Sequence, residues 1–184
     1  MSRFEETEMG IDGVYTISKK VIGDERGYLE RIYCASELNC WSNRRIAQVN
    51  RTFTATRGTV RGLHFQKKPY AEAKLICCLR GKVMDYALDL RISSETYGKI
   101  FTVELDAAAH NAVLLPEGIA HGFQSLTDNV EMLYFHSQPY NPNYEAGVNI
   151  LDPFLDINLP LSCPVMSNRD KQFPSFHELK AVYP

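Results

Sequence analysis

Between Lys74 and His136 the chain reads as a succession of short apolar segments broken by turn residues, and this pattern limits the fold more than any other feature. Lys74 to Leu79 is apolar-rich, Arg80-Gly81-Lys82 reads as a turn, and Val83 to Leu90 resumes an extended pattern. Further strands are predicted over Ile100 to Leu105, Ala112 to Leu115, His121 to Leu126 and Val130 to His136. Ser93-Ser94-Glu95, Pro116-Glu117-Gly118 and Thr127-Asp128-Asn129 supply the turns between them. Many short strands at such spacing indicate an all-β antiparallel sandwich or barrel. Helix signals are few: Ser36 is placed to cap a short turn through Cys40, and Ser175-Phe176-His177-Glu178 has capping-box spacing ahead of a C-terminal helix.

A chain of 184 residues is most simply one domain, and no repeat, low-complexity tract or Ser/Gly-rich linker divides residues 1–184. The net charge of -2 with no long basic run argues against nucleic-acid binding, although two or three local arginines suffice for a diphosphate. No apolar window approaches a membrane span, and the start of the chain lacks the apolar core of a signal peptide. The five cysteines, Cys34, Cys40, Cys77, Cys78 and Cys163, lack metal-type spacing. Cys77 and Cys78 point to opposite strand faces, so reduced thiols and a cytoplasmic location are expected.

The chemistry-bearing stretch is Arg61-Gly62-Leu63-His64-Phe65-Gln66, with Lys74 ten residues beyond the histidine. A neutral imidazole on a strand can take a proton beside a carbonyl, and a nearby cation can stabilise the enolate that forms. On its own such a histidine is more often structural than catalytic. Lys74 equally suits a solvated strand position, and Tyr134, sharing a face with Met132 and His136, equally suits a packed core position.

Read together with Pro116-Glu117-Gly118-Ile119-Ala120-His121-Gly122-Phe123 and Leu133-Tyr134, the His64 motif resembles the dTDP-4-dehydrorhamnose 3,5-epimerase family, from about Gly23 to Asp170. The resemblance implies a cupin jelly roll, an all-β fold of antiparallel strands with a few short helices. It implies an isomerase that inverts C3, C5 or both of a nucleotide-diphosphate 4-keto-6-deoxy sugar. His64 then matches the base, Asp170 the carboxylate that fixes its tautomer, Lys74 the cation at the C4 ketone, and Tyr134 the acid on the opposite face. His121 matches a further histidine close to the sugar.

By the same resemblance, Arg26 and Glu30 in Gly23-Asp24-Glu25-Arg26-Gly27-Tyr28-Leu29-Glu30 belong to a substrate-binding motif, often across a dimer interface. Arg26 and Arg61 match diphosphate contacts; Gln48 and Asn50 match polar pocket residues; Tyr140 and Glu145 match the region closing over the substrate. The partner implied is a second copy of the chain, as a homodimer with swapped N-terminal strands. Cupin metal sites use an H-x-H pair, which the chain lacks, so no metal and no cofactor is expected. His110, His136 and His177 match no motif and are taken as surface or structural.

Some positions depart from the family pattern. Glu72 stands where glutamine is usual, Pro139 where a second aromatic is common, and Phe135 where a lysine is common. Leu151-Asp152-Pro153 and Leu159-Pro160 replace further family pairs, which leaves the nucleotide (dTDP, CDP or GDP) open. A 3-epimerase alone, a 3,4-ketoisomerase and a non-catalytic sugar-nucleotide-binding cupin remain as alternatives.

Overall fold

Alternation of apolar and polar residues gives strands such as Val130–His136 one face to bury, and the thirteen strands among the described residues are arranged as two antiparallel sheets and an exposed ribbon. In the computed structural model, which describes residues 2–179 and 183, these are β1 (Phe4–Glu8), β2 (Tyr15–Lys19), β3 (Ile22–Asp24), β4 (Gly27–Leu29), β5 (Gln48–Thr54), β6 (Val60–Gln66) and β7 (Lys74–Arg80). They continue as β8 (Lys82–Asp89), β9 (Ile100–Asp106), β10 (Asn111–Leu115), β11 (Ile119–Ser125), β12 (Val130–His136) and β13 (Glu145–Gly147). The first sheet runs β1-β2-β10-β7-β12-β5, the second β13-β6-β11-β8-β9, and β3-β4 forms a separate ribbon. This is the expected jelly roll.

Three apolar clusters hold the layers. Ile76, Val113 and Met132 of the first sheet meet Val83, Ala87, Leu105 and Phe123 of the second to form the inter-sheet core. The outer face of the first sheet buries Leu75, Cys77 and Leu114 beneath Leu38 and Trp41. The outer face of the second buries Tyr86 and Leu88 against Val148, Ile150 and Leu155 from the C-terminal third of the chain. Cys77 and Cys78 therefore sit in different clusters on opposite faces of β7, and all five thiols are free.

Strands predicted between Lys74 and His136 are present within one or two residues, and Val130–His136 agrees at both ends. The N-terminal strands carried no such signal: β1 is Phe-Glu-Glu-Thr-Glu and buries only Phe4, so its partner β2, not its own composition, makes it a strand. The turn expected from Ser36 is displaced. A single 3₁₀ turn spans Asn39–Trp41 with no side-chain cap from its own N-terminus. Glu6 of β1 instead accepts the Asn39 and Cys40 amides at 2.7 and 2.8 Å. At the other end Glu178 accepts the Ser175 amide at 2.9 Å, but only the 3₁₀ turn Phe176–Glu178 follows, and Leu179 is extended. Residues 180–182, into which the expected helix would run, lie outside the described residues.

Candidate active site

Strand β6 meets β11 in a pairing that places His64 directly opposite His121, and the register shifts between His121 and Phe123, where β6 carries one extra residue before Arg61 pairs with Phe123. Glycine makes the approach possible. Gly62 has φ +114, and a Cβ there would lie 2.5 Å from Gly122 Cα and 2.6 Å from the His121 carbonyl oxygen. Facing these histidines, β12 contributes Tyr134 and His136 and the neighbouring β5 contributes Asn50 and Thr52, while Lys74 opens β7 opposite His136 in the ladder. The two sheets thus form opposite walls of a cavity of about 280 Å³.

His64 Nε2 lies 3.0 Å from Asp170 Oδ1, and Asp170 Oδ2 accepts the Gly62 amide at 3.2 Å. Asp170 sits in the one α-helical turn among the described residues, α1 (Asn168–Lys171), whose N-cap Ser167 accepts the Asp170 amide. Burial alone would raise the Asp170 carboxyl, but the hydrogen bonds from His64, Gly62 and Ser167 and the charge of the imidazole outweigh it, holding the group at about 2. The ionised carboxylate requires hydrogen on Nε2, which leaves the Nδ1 lone pair free to accept a proton. Arg169 stands at the rim, donating to Glu145 at 3.0 and 3.2 Å; its Nη2 is 3.3 Å from His64 Nε2, which with hydrogen on Nε2 is a close approach of two donors and not a hydrogen bond.

On the opposite wall Tyr134 is buried, and burial pushes its phenol well above the ordinary tyrosine value. It is therefore protonated across neutral pH and can donate. Its ring lies 6.1 Å from those of both His121 and His136. His121 Nε2 is 2.7 Å from Asp85 Oδ2, and that carboxyl is completely buried. Burial raises it, against the pull of His121 and Lys74. The Lys74 ammonium lies 3.1 Å from Glu72 and donates to the His64 carbonyl at 3.3 Å. Two sides of a ketone-sized space are thereby lined with a proton acceptor and a proton donor, with an ammonium at hand for developing negative charge.

Asn50, Arg61, His121, Tyr140 and Glu145 also line the cavity, and the Tyr140 hydroxyl donates to Glu145 at 2.8 Å. Gln48 stands at the rim, where it accepts the Tyr140 amide at 2.9 Å. Two expected residues are elsewhere. Arg26 lies at the tip of the β3-β4 ribbon, paired with Asp24 at 2.5 Å, and Glu30 is drawn to Lys19 at 2.7 Å. One expectation is corrected: His136 is not a surface or purely structural residue but lines the cavity, where burial, Lys74 and His121 lower it to about 4. His110 instead lies 3.4 Å from Glu30, and His177 packs on Phe154.

His136 in the cavity and Asp85, buried behind His121, are not singled out by the sequence. Asp85 gave one faint signal, a carboxylate inside the apolar run Val83-Met84-Asp85-Tyr86-Ala87. The His136 signal was its shared face with Tyr134. Among the described residues, no group of three or more His, Cys, Asp or Glu side chains is placed to hold a metal ion, and no helix is long and apolar enough to cross a membrane.

A base and an acid set on opposing walls are what stereochemical inversion at a carbon acid requires, and the jelly roll places the molecule among cupin-type isomerases. The chain belongs to the dTDP-4-dehydrorhamnose 3,5-epimerase family, whose profile matches residues 8–178. It is 36% identical over 181 residues to a dTDP-4-dehydrorhamnose 3,5-epimerase of Sinorhizobium fredii, covering 95% of this chain and 91% of that one. It is 39% identical over 165 residues to a dTDP-4-dehydrorhamnose 3-epimerase of Streptomyces niveus, covering 89% and 79%. The crystal structure of the 3,5-epimerase of Legionella pneumophila in complex with dTDP-4-keto-L-rhamnose superposes with a TM-score of 0.93 at 30% identity, over 98% of this chain and 97% of that one.

Proposed function

We propose that the protein epimerises a dTDP-linked 4-keto-6-deoxyhexose at C3 and C5 through an enolate, without a cofactor. His64 Nδ1 removes the proton beside the ketone while Asp170 stabilises the imidazolium that results. Lys74 carries the developing charge on the C4 oxygen, and Tyr134 returns a proton from the other wall. The observation that carries this reading is the His64–Asp170 pair at 3.0 Å facing a cavity whose far wall holds a buried, protonated tyrosine. His121, Asn50 and Arg61 contact the sugar nucleotide within the cavity, and Tyr140, Glu145 and Gln48 close over it.

The active form is a homodimer in which the N-terminal strands of one copy complete the other's site, bringing Arg26 and Glu30 to the partner's diphosphate and nucleoside. Support comes from the surface around them. Strand β5 is a sheet edge among the described residues that exposes Val49 and Phe53, and the ribbon exposes Ile22, Tyr28 and Leu29, leaving apolar surface on the elements that flank an arginine whose one ion-pair partner among the described residues is Asp24 of its own turn. Residues 1–184 act as one domain, since both sheets share one inter-sheet core. The free thiols support a cytoplasmic location.

The test is incubation in heavy water with dTDP-, CDP- and GDP-linked 4-keto-6-deoxyglucose, followed by mass spectrometry and NMR. Deuterium at both C3 and C5 of the dTDP sugar is expected. Label at C3 alone makes the protein a 3-epimerase, as the Streptomyces niveus relative is named. A displaced carbonyl carbon identifies a ketoisomerase, and saturable binding without exchange a non-catalytic binder.

A further inference from the structure

We propose that Glu72 is the positioning residue for the Lys74 ammonium: its buried carboxylate fixes where that charge sits and keeps it in place for the ketone. The inference rests on the role given to Lys74 above and adds a residue that the family pattern does not supply. Glu72 is buried, with Oε1 3.1 Å from Lys74 Nζ. Its other oxygen accepts from Gln66 Nε2 at 2.5 Å, so the carboxylate cannot turn away. Gln66 is itself pinned: the second Nε2 hydrogen is shared between the Tyr70 and Pro139 carbonyls, at 3.0 and 3.2 Å, and Oε1 accepts the Asn141 amide at 2.6 Å. The brace therefore runs from the chain around Tyr140 through Gln66 and Glu72 to the ammonium.

An ammonium has three N–H donors. Glu72 takes one and the His64 carbonyl a second, which leaves one for a ketone oxygen in the cavity that Lys74 lines. Because the ammonium is buried, its charge needs a counter-ion, and a donor already oriented costs nothing to reorganise when the enolate forms. The titratable and charged groups around it are Glu72 on its own side, Asp85 from β8, His64 and Arg61 from β6, His121 from β11, and Tyr134 and His136 from β12. Asp85 is engaged by His121, so Glu72 is the carboxylate in direct contact with Lys74 among the described residues.

The experiment measures deuterium wash-in and epimerisation of the dTDP sugar against pH for wild type, Glu72→Gln, Glu72→Asp, Lys74→Met and the Glu72→Gln/Lys74→Met double variant. Glu72→Gln keeps the shape and removes the charge. Its kcat is expected to fall about tenfold with KM little changed, as for an interaction made mainly in the transition state. Glu72→Asp, which keeps the charge, is expected to recover most of that kcat. In the Lys74→Met background, Glu72→Gln has no further effect on residual exchange. The double variant, which buries no unpaired charge, keeps the comparison available if Glu72→Gln alone folds poorly. A Glu72→Gln profile that superposes on wild type, or a Glu72→Gln cost undiminished without Lys74, overturns the inference alone. Wild-type protein that exchanges no hydrogen overturns the epimerase reading and the inference with it.

Discussion

His64 and Arg26 stand at opposite extremes of restraint. The His64 ring is held at Nε2 by a carboxylate that is itself bound to the Gly62 amide and the Ser167 cap, and its side chain is only 25% exposed. The Arg26 side chain is 83% exposed, on a two-stranded ribbon, with Asp24 of the same turn as its only ion-pair partner among the described residues. One chain therefore brings together the groups proposed to move protons. Arg26, proposed to meet the diphosphate, is left outside the cavity of its own chain. Proton transfer tolerates little displacement of its groups, which suits the interior of the sandwich, whereas the forked donors of a guanidinium can engage a phosphate from an exposed position.

Several variants can sharpen or break this contrast. His64→Ala is expected to lower deuterium wash-in by about three orders of magnitude, the upper part of the range for general-base catalysis. Wash-in that survives would place the base elsewhere and remove one side of the comparison. Tyr134→Phe is expected to cut epimerised product about 100-fold while losing less wash-in, because deprotonation at the His64 wall continues. Equal losses of both would mean that tyrosine acts before, not after, the enolate.

Arg26→Ala should raise KM about tenfold with kcat nearly unchanged, as expected for binding that is equal in ground and transition states. Its more telling measurement is mixing. If Arg26 serves the partner's cavity, hybrids of Arg26→Ala and His64→Ala subunits regain one intact site and a wild-type KM. Hybrids that keep the raised KM would return Arg26 to its own subunit or to the surface.

The smallest effect is on acid stability. Asp170 is lowered from 3.8 to about 2, so its contribution to folding is complete above the unfolded value and is lost as pH falls through the folded one. That contribution is about 2 kcal/mol, and Asp170→Asn should remove it at pH 7 and flatten the loss of stability between about pH 4 and pH 2. Denaturant melts across that range check both the size and the sign.

Legibility in the sequence followed how much of each element's cause was local. Strand Val130–His136 was readable at both ends because a buried face alternates along it and turn residues flank it. His64, Lys74, His121 and Tyr134 were readable because motifs carried them in order. Strand β1 was not, being mostly polar and a strand only through its ladder to β2. His136 was misplaced for a related reason. Its neighbours in sequence say nothing of β7, where the register sets it opposite Lys74. Asp85 looked like an interruption in an apolar run until β11 brought His121 to within 2.7 Å of it.

By itself the sequence determined that this chain folds as an antiparallel β sandwich and that it carries a histidine, lysine and tyrosine set suited to enolate chemistry. Alternation and motif order are properties of a single strand and survive without knowing what lies beside it. Tertiary structure alone decided the partners. It set the 3.0 Å distance of the His64–Asp170 pair that the motif resemblance implied, turned Glu72 from an apparent departure into the counter-ion of Lys74, and brought His136 into the cavity. A hydrogen bond or ion pair depends on distances of about 3 Å between atoms far apart in the chain, and only sheet register and packing fix such distances.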